Sequence, residues 1–240
     1  MTLYGADQDK DNLVNWLTND KKFPGAKLFV SDKSLHADIK ARMANLVMLD
    51  PAAIILYNIT GDELAPEHEK RLAPEEFIEM LSSFNRSTSV IVITDFCHSG
   101  NFFRLRYVLE VNPEGHCIGW KETEEWSHGS RAGPEWSHPI TSPMLHLAGS
   151  AERENVYETE RTGGYFTDVL TKTEPMPLPE LLVALRTGVN RHLAKAKRHE
   201  KRPIASDATQ TPQVYSSLKL PLDDPGVLTK IYAQEILSYL

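Results

Sequence analysis

Short apolar runs without polar alternation take turns along this chain with segments whose apolar residues recur every three or four positions. Lys27-Leu28-Phe29-Val30, Ala52 to Tyr57, Ser89-Val90-Ile91-Val92-Ile93-Thr94 and Pro143 to Ser150 are of the first kind, and they read as strands buried on both faces. The second kind reads as helix. Asp7 to Thr18 carries Leu13, Trp16 and Leu17 behind an acidic start, and Ser34 caps a stretch with Leu35, Ile39, Met43 and Leu46 on one face. Pro74-Glu75-Glu76 opens a helix through Phe77, Met80 and Leu81; Gly163 to Thr167 starts another, and Leu178, Leu181, Leu182, Leu185 and Val189 mark a strongly amphipathic one. Gln210-Thr211-Pro212-Gln213-Val214-Tyr215-Ser216 brings a last strand, and residues 225–240, with Val227, Leu228, Ile231, Tyr232, Ile236 and Leu240, read as a C-terminal amphipathic helix covering the domain or a partner. Strand and helix alternate, which predicts an α/β fold with a mostly parallel central sheet and helices on both faces.

Between them, residues 113–143 are rich in Gly, Pro, Ser, Trp and His and read as an irregular insertion in a single domain spanning 1–240. Long loops of this kind are usually functional or mobile. Its Trp120, Trp126 and Trp136 are either a binding surface or side chains folded back onto the domain. The repeated steps Trp126-Ser127-His128 and Trp136-Ser137-His138 lack cysteines or acids at short metal-site spacing, so no metal ligand set is assigned.

Composition narrows the setting. With 240 residues, 41% hydrophobic and 25% charged, the chain can bury a core without disulfides. A net charge of -7 argues against a nucleic-acid surface, and the basic run Arg191 to Arg202 reads as a solvated helix end. Cys97 and Cys117 form no disulfide framework, and no apolar segment suits a signal peptide or membrane span, so a cytoplasmic protein without membrane contact is expected.

The candidate chemistry sits at the end of one strand. The run Ser89 to Thr94 stops at Asp95-Phe96-Cys97-His98-Ser99-Gly100, which places the Cys97 thiol at the carboxyl edge where open α/β sheets hold ligands. A buried cysteine is ordinarily a small hydrophobe. Here the flanking Asp-x-Cys-His-Ser-Gly resembles the cysteine motif of the metacaspases and fungal caspase-like peptidases. Gly5-Ala6 with Asp11 and Leu13, Ser150 to Glu158, Gly164 to Leu170, and Gln210-Thr211-Pro212-Gln213 are similar to further segments of that family. The resemblance implies a caspase-haemoglobinase fold and a cytosolic cysteine endopeptidase acting on peptide or protein substrates. Cys97 would be the nucleophile, backbone amides near Gly61 and Cys97 the oxyanion hole, and Asp95 with Glu152 the acids receiving Arg or Lys before the cleaved bond. It implies no cofactor beyond the family's calcium dependence, which these residues do not reveal.

The chain departs from the family twice. Ile54 to Glu63 matches the strand that should end in Ser-Gly-His-Gly, but Asp62 stands where the catalytic histidine belongs. A carboxylate, with a reference pKa of about 3.9 against about 8.5 for a thiol, is a poor base for that proton, and its charge opposes a thiolate. His98 is adjacent to Cys97 and should point elsewhere; His68, in the acidic loop Glu63 to Arg71, is a solvated residue or a substitute base within reach of about 3 Å. Met1-Thr2-Leu3-Tyr4 falls in the linker after the family's first strand, so a central strand is expected to be missing or replaced. The reading is a peptidase homologue of weak or lost activity, with two alternatives: a pseudopeptidase binding peptides or partners through the same cleft, and a regulatory module using its C-terminal helix.

Overall fold

The structure, a computed structural model, describes residues 5–19, 53–58, 74–112, 114–127, 140–199 and 203–232. Its centre is β2 (Ser89–Thr94), whose six residues are all buried. On one side β2 pairs in parallel with β1 (Ala53–Asn58), Ala53 opposite Ser89 and Asn58 opposite Thr94. On the other it pairs in parallel with β5 (Met144–Ala148), Thr94 opposite Ala148. The sheet then changes sense: β8 (Gln213–Ser216) runs antiparallel to β5, β3 (Tyr107–Val111) antiparallel to β8, and β4 (Cys117–Glu122) antiparallel to β3. The six strands lie in the order β1-β2-β5-β8-β3-β4. Apart from this sheet, β6 (Glu158–Thr159) and β7 (Gly163–Gly164) pair with each other in a small antiparallel ladder.

The α/β class and the helices on both faces are as the sequence predicts; among the described residues the parallel character is confined to β1, β2 and β5, two pairings against three antiparallel ones in this sheet. An apolar run reports burial and carries no strand direction, which depends on how the chain returns to the sheet. The segment read as irregular also begins with structure. Residues 117–122 are a sheet strand, and a short helix, α3 (Glu124–Ser127), follows. Trp120 donates its indole N–H to Leu220 O at 2.8 Å and Trp126 donates to Arg104 O at 2.9 Å, so both fold back onto the domain. Trp136, His128 and His138 lie outside the described residues, as do the expected strand at 27–30 and helix after Ser34.

Alternation along β2 divides the core. Ile91 and Ile93 face a cluster with Leu13 and Trp16 of α1 (Ala6–Asn19), Phe166 and Leu170 of α4 (Tyr165–Lys172), the apolar stripe of α5 (Leu178–Lys197), and Val227 and Ile231 of α6 (Val227–Tyr232). Val90 and Val92 face Ile78 and Leu81 of α2 (Pro74–Ser82) with Phe84, Phe103 and Leu105. Each fully buried side chain of this size contributes about 1.5–3 kcal/mol. The described part of the C-terminal helix thus covers the domain itself. Among the described residues, no helix is long and apolar enough to cross a membrane.

Candidate functional site

At the carboxyl edge of β2 the alternation continues past the strand and sorts the motif by face. Thr94 turns to the α2 side, where its hydroxyl shares a 2.8 Å hydrogen bond with His146 Nε2. Asp95 turns to the other side, under α4. Its Oδ2 accepts from the Thr167 N–H at 3.2 Å and the Thr167 hydroxyl at 2.7 Å, while Oδ1 is buried without a hydrogen-bond partner among the described residues. The chain then turns sharply, with His98, Asn101 and Arg104 all at positive φ, a conformation non-glycine residues seldom hold. Local bonds enforce it: Glu154 O accepts from the His98 N–H at 2.9 Å, and Glu152 O from the His98 Nδ1 at 2.9 Å. Gly100 is needed for close approach, since a Cβ there would collide with the backbone of Ala151 and Glu152.

This turn leaves Cys97 half-buried, with its Sγ accepting a 3.5 Å hydrogen bond from the Val156 N–H. His98 is turned to Glu152, as its adjacency to Cys97 leads one to expect. Asp62, Gly61 and His68 lie outside the described residues. The parallel register of β1 and β2 ends both strands, at Asn58 and Thr94, on the same sheet edge.

The buried acid beside Asp95 is Asp9, which sequence reasoning did not single out. Glu152 lies beside Glu125; partial burial and then the Glu125 charge push its carboxyl above the usual range. Asn101 Nδ2 holds Glu125 at 3.0 Å. Asp9, 1% exposed, receives the Gly164 N–H on both oxygens at 2.9 Å. Gly164 lies between the two acids: a Cβ on it would collide with Asp95 Oδ2 and stand 3.2 Å from Asp9 Oδ2. Burial, partly offset by the Gly164 hydrogen bond and reinforced by the charges of Asp95, Glu158 and Asp168, pushes Asp9 up to about 7. Burial, against the two Thr167 hydrogen bonds, pushes Asp95 up to about 6. Asp168 bonds Lys172 and, at 3.1 Å, His192 Nε2.

Asp9 was legible in one respect. It occupies the apolar stripe of α1 with Leu13 and Trp16, at i, i+4 and i+7, and an acid on a buried stripe calls for a reason. Both acids satisfy backbone donors at the start of α4, which is a structural role. Two buried carboxyls meeting at one glycine, with one oxygen unpartnered among the described residues, would attract any cation that reached them.

These shifts set a pH dependence. Asp9 binds a proton in the folded state up to about 7 but loses it near 3.8 when unfolded, so its contribution to stability falls as pH rises from about 4 to about 7. Buried His146, held down to about 3, acts oppositely: its contribution falls as pH drops below about 6.5. Asp9→Asn should therefore raise the melting temperature at pH 8 and leave it nearly unchanged at pH 5. Thermal melts at the two pH values check this, and an equal effect at both would contradict the assigned protonation.

No family model matches the chain, and no curated protein does. Protein GSU0716 from Geobacter sulfurreducens is similar in structure, with a TM-score of 0.53 and 13% identity over 93% of this chain and 89% of that one. Caspase-1 from Spodoptera frugiperda superposes with a TM-score of 0.44 and 15% identity over 91% of this chain and 80% of that one. At such identity the likeness to GSU0716 concerns the fold alone.

Proposed function

We propose that this chain is a caspase-like cysteine peptidase homologue whose cleft receives a peptide bearing Arg or Lys before the bond at Cys97. The observation that carries the reading is the buried Asp95 carboxylate. Its Oδ1 lacks a partner among the described residues, it meets Asp9 across Gly164, and it stands two residues from the thiol. A guanidinium or ammonium entering there would neutralise two carboxyls that burial otherwise penalises. The thiolate of Cys97 would attack the carbonyl carbon of the following bond, and backbone amides near Gly61 and Cys97 would hold the resulting oxyanion. The amine would leave with a proton, and water would hydrolyse the thioester.

With Asp62 in the histidine's place, that proton has no efficient carrier, and turnover is slow or absent. The same feature favours a second reading, a pseudopeptidase that binds basic peptides without cutting them. Reporter peptides with Arg, Lys, Asp or norleucine before the bond separate these. Binding to the Cys97→Ala protein should follow Arg and Lys over Asp and norleucine, and any cleavage by the unaltered chain should vanish in Cys97→Ala. Preference for the Asp peptide, or none, would remove the proposed specificity, and cleavage surviving Cys97→Ala would remove the nucleophile.

A further inference from the structure

The Gln210-Thr211-Pro212-Gln213 segment is absorbed by none of the chemistry above, yet it grips the loop that covers the thiol. Gln210, 2% exposed, accepts the Tyr157 N–H on Oε1 at 3.1 Å and donates from Nε2 to Gly149 O at 3.0 Å. It thereby ties the loop after β5 to the end of that strand. Thr211 donates its N–H to Glu154 Oε2 at 2.6 Å and its hydroxyl to Glu154 Oε1 at 2.9 Å. The Glu154 carboxylate also takes the Ala151 N–H at 3.3 Å, closing the turn from 151 to 154. Behind the segment, Arg186 of α5 donates to Pro212 O at 3.0 Å and to Gln213 Oε1 at 3.1 Å, anchoring it to a long helix packed into the core by one face.

Residues 154 and 157 are thus fixed from one side, and two loop groups between and beside them reach the motif from the other. Glu154 O holds the His98 N–H at 2.9 Å, and the Val156 N–H points to Cys97 Sγ at 3.5 Å. A backbone donor held in place at sulfur favours the ion over the neutral thiol, because hydrogen bonds to charged acceptors are about twice as strong as neutral ones.

We infer that the Val156 amide is the group that stabilises the Cys97 thiolate in this chain, and that Gln210, Thr211 and Glu154 are positioning residues that hold it there. The inference rests on the peptidase reading for its purpose and on the hydrogen-bond clamp for its mechanism. In the step assigned, the S–H bond breaks, its proton passes to solvent, and the sulfur electron pair accepts the Val156 N–H without oxidation or reduction. An amide donor is compatible with Asp62, since it supplies thiolate stabilisation without an imidazole. It does not replace the proton carrier that the leaving amine needs.

The pH profile of Cys97 alkylation by iodoacetamide tests this in the full chain, with the site read by mass spectrometry. Val156→Pro removes the N–H, and the profile should move to higher pH, with alkylation at neutral pH about tenfold slower. Gln210→Ala and Thr211→Val should shift it in the same direction, and Thr211→Ser, which keeps the hydroxyl, should restore the original profile. A folded Val156→Pro protein with an unchanged midpoint overturns the inference. Should that variant not fold, an unchanged midpoint in Gln210→Ala overturns it equally. The result is independent of turnover: a shifted profile in a chain that neither binds nor cuts basic peptides keeps the amide's role and removes the peptidase reading. An unchanged profile beside specific cleavage does the reverse.

Discussion

Asp62→His should raise cleavage after Arg or Lys by about 10²–10⁴-fold, the range contributed by a positioned general acid–base group. The change replaces a charge that opposes the thiolate with a group that can accept the thiol proton and return it to the leaving amine. Two features motivate it. The segment Ile54 to Glu63 matches the family strand that carries the histidine, and β1, which includes its first five residues, runs parallel beside β2 in register up to Asn58 and Thr94. Hydrolysis of an arginine reporter peptide by the two proteins measures the effect. Activity of the unaltered chain that is lost in both Cys97→Ala and His68→Ala would show that His68 already carries the proton, and the variant should then gain little. No gain in a folded Asp62→His protein that still binds arginine peptides would place the defect beyond the missing imidazole and favour the pseudopeptidase.

Asp95→Asn is the second large effect. The substituted amide keeps an oxygen for the Thr167 N–H and hydroxyl, so the start of α4 stays capped while the charge facing a bound cation is lost. Hydrogen bonds to charged groups are worth about 1.5–3 kcal/mol, so arginine-peptide affinity should fall about 10- to 100-fold, with norleucine-peptide affinity unchanged. Affinity of the unaltered chain for the arginine peptide should rise with pH across about 6 to 7, as Asp95 and Asp9 ionise. Titration calorimetry on the Cys97→Ala background measures both. An affinity insensitive to Asp95→Asn and to pH would leave these acids as helix caps and nothing more.

How much of this was legible in the sequence depended on burial. β2 and β5, covered on both faces, announced themselves as short apolar runs, interrupted in β5 by His146, and α5 by its leucine stripe. The hairpin of β3 and β4 did not, because it lies at the edge of the sheet. In β4 Cys117 and Ile118 are exposed, Ile118 by 65%, and Gly119 interrupts the run, so no hydrophobic pattern marks the strand. The site divides in the same way. Cys97 and Asp95 belong to one contiguous motif and could be read together. Their partners come from distant positions: Asp9 from α1, Thr167 from α4, Val156 and Glu154 from the loop after β5, Gln210 from the approach to β8. Glu152 was the natural choice of second acid by its place in the chain. Gly100 packs against its backbone, and its carboxyl neighbours that of Glu125. Backbone donors such as the Val156 N–H carry no side-chain signature at all.

The central claim is that Cys97 stands at a cleft built for a cationic side chain, and labelling tests it most directly. An electrophilic peptide ending in arginine should modify Cys97 far faster than the exposed thiol of Cys117, and far faster than the same electrophile ending in norleucine; Asp95→Asn should abolish the difference between the two reagents. Slow modification of Cys97 and Cys117 at the same rate, indifferent to the arginine, would contradict the account.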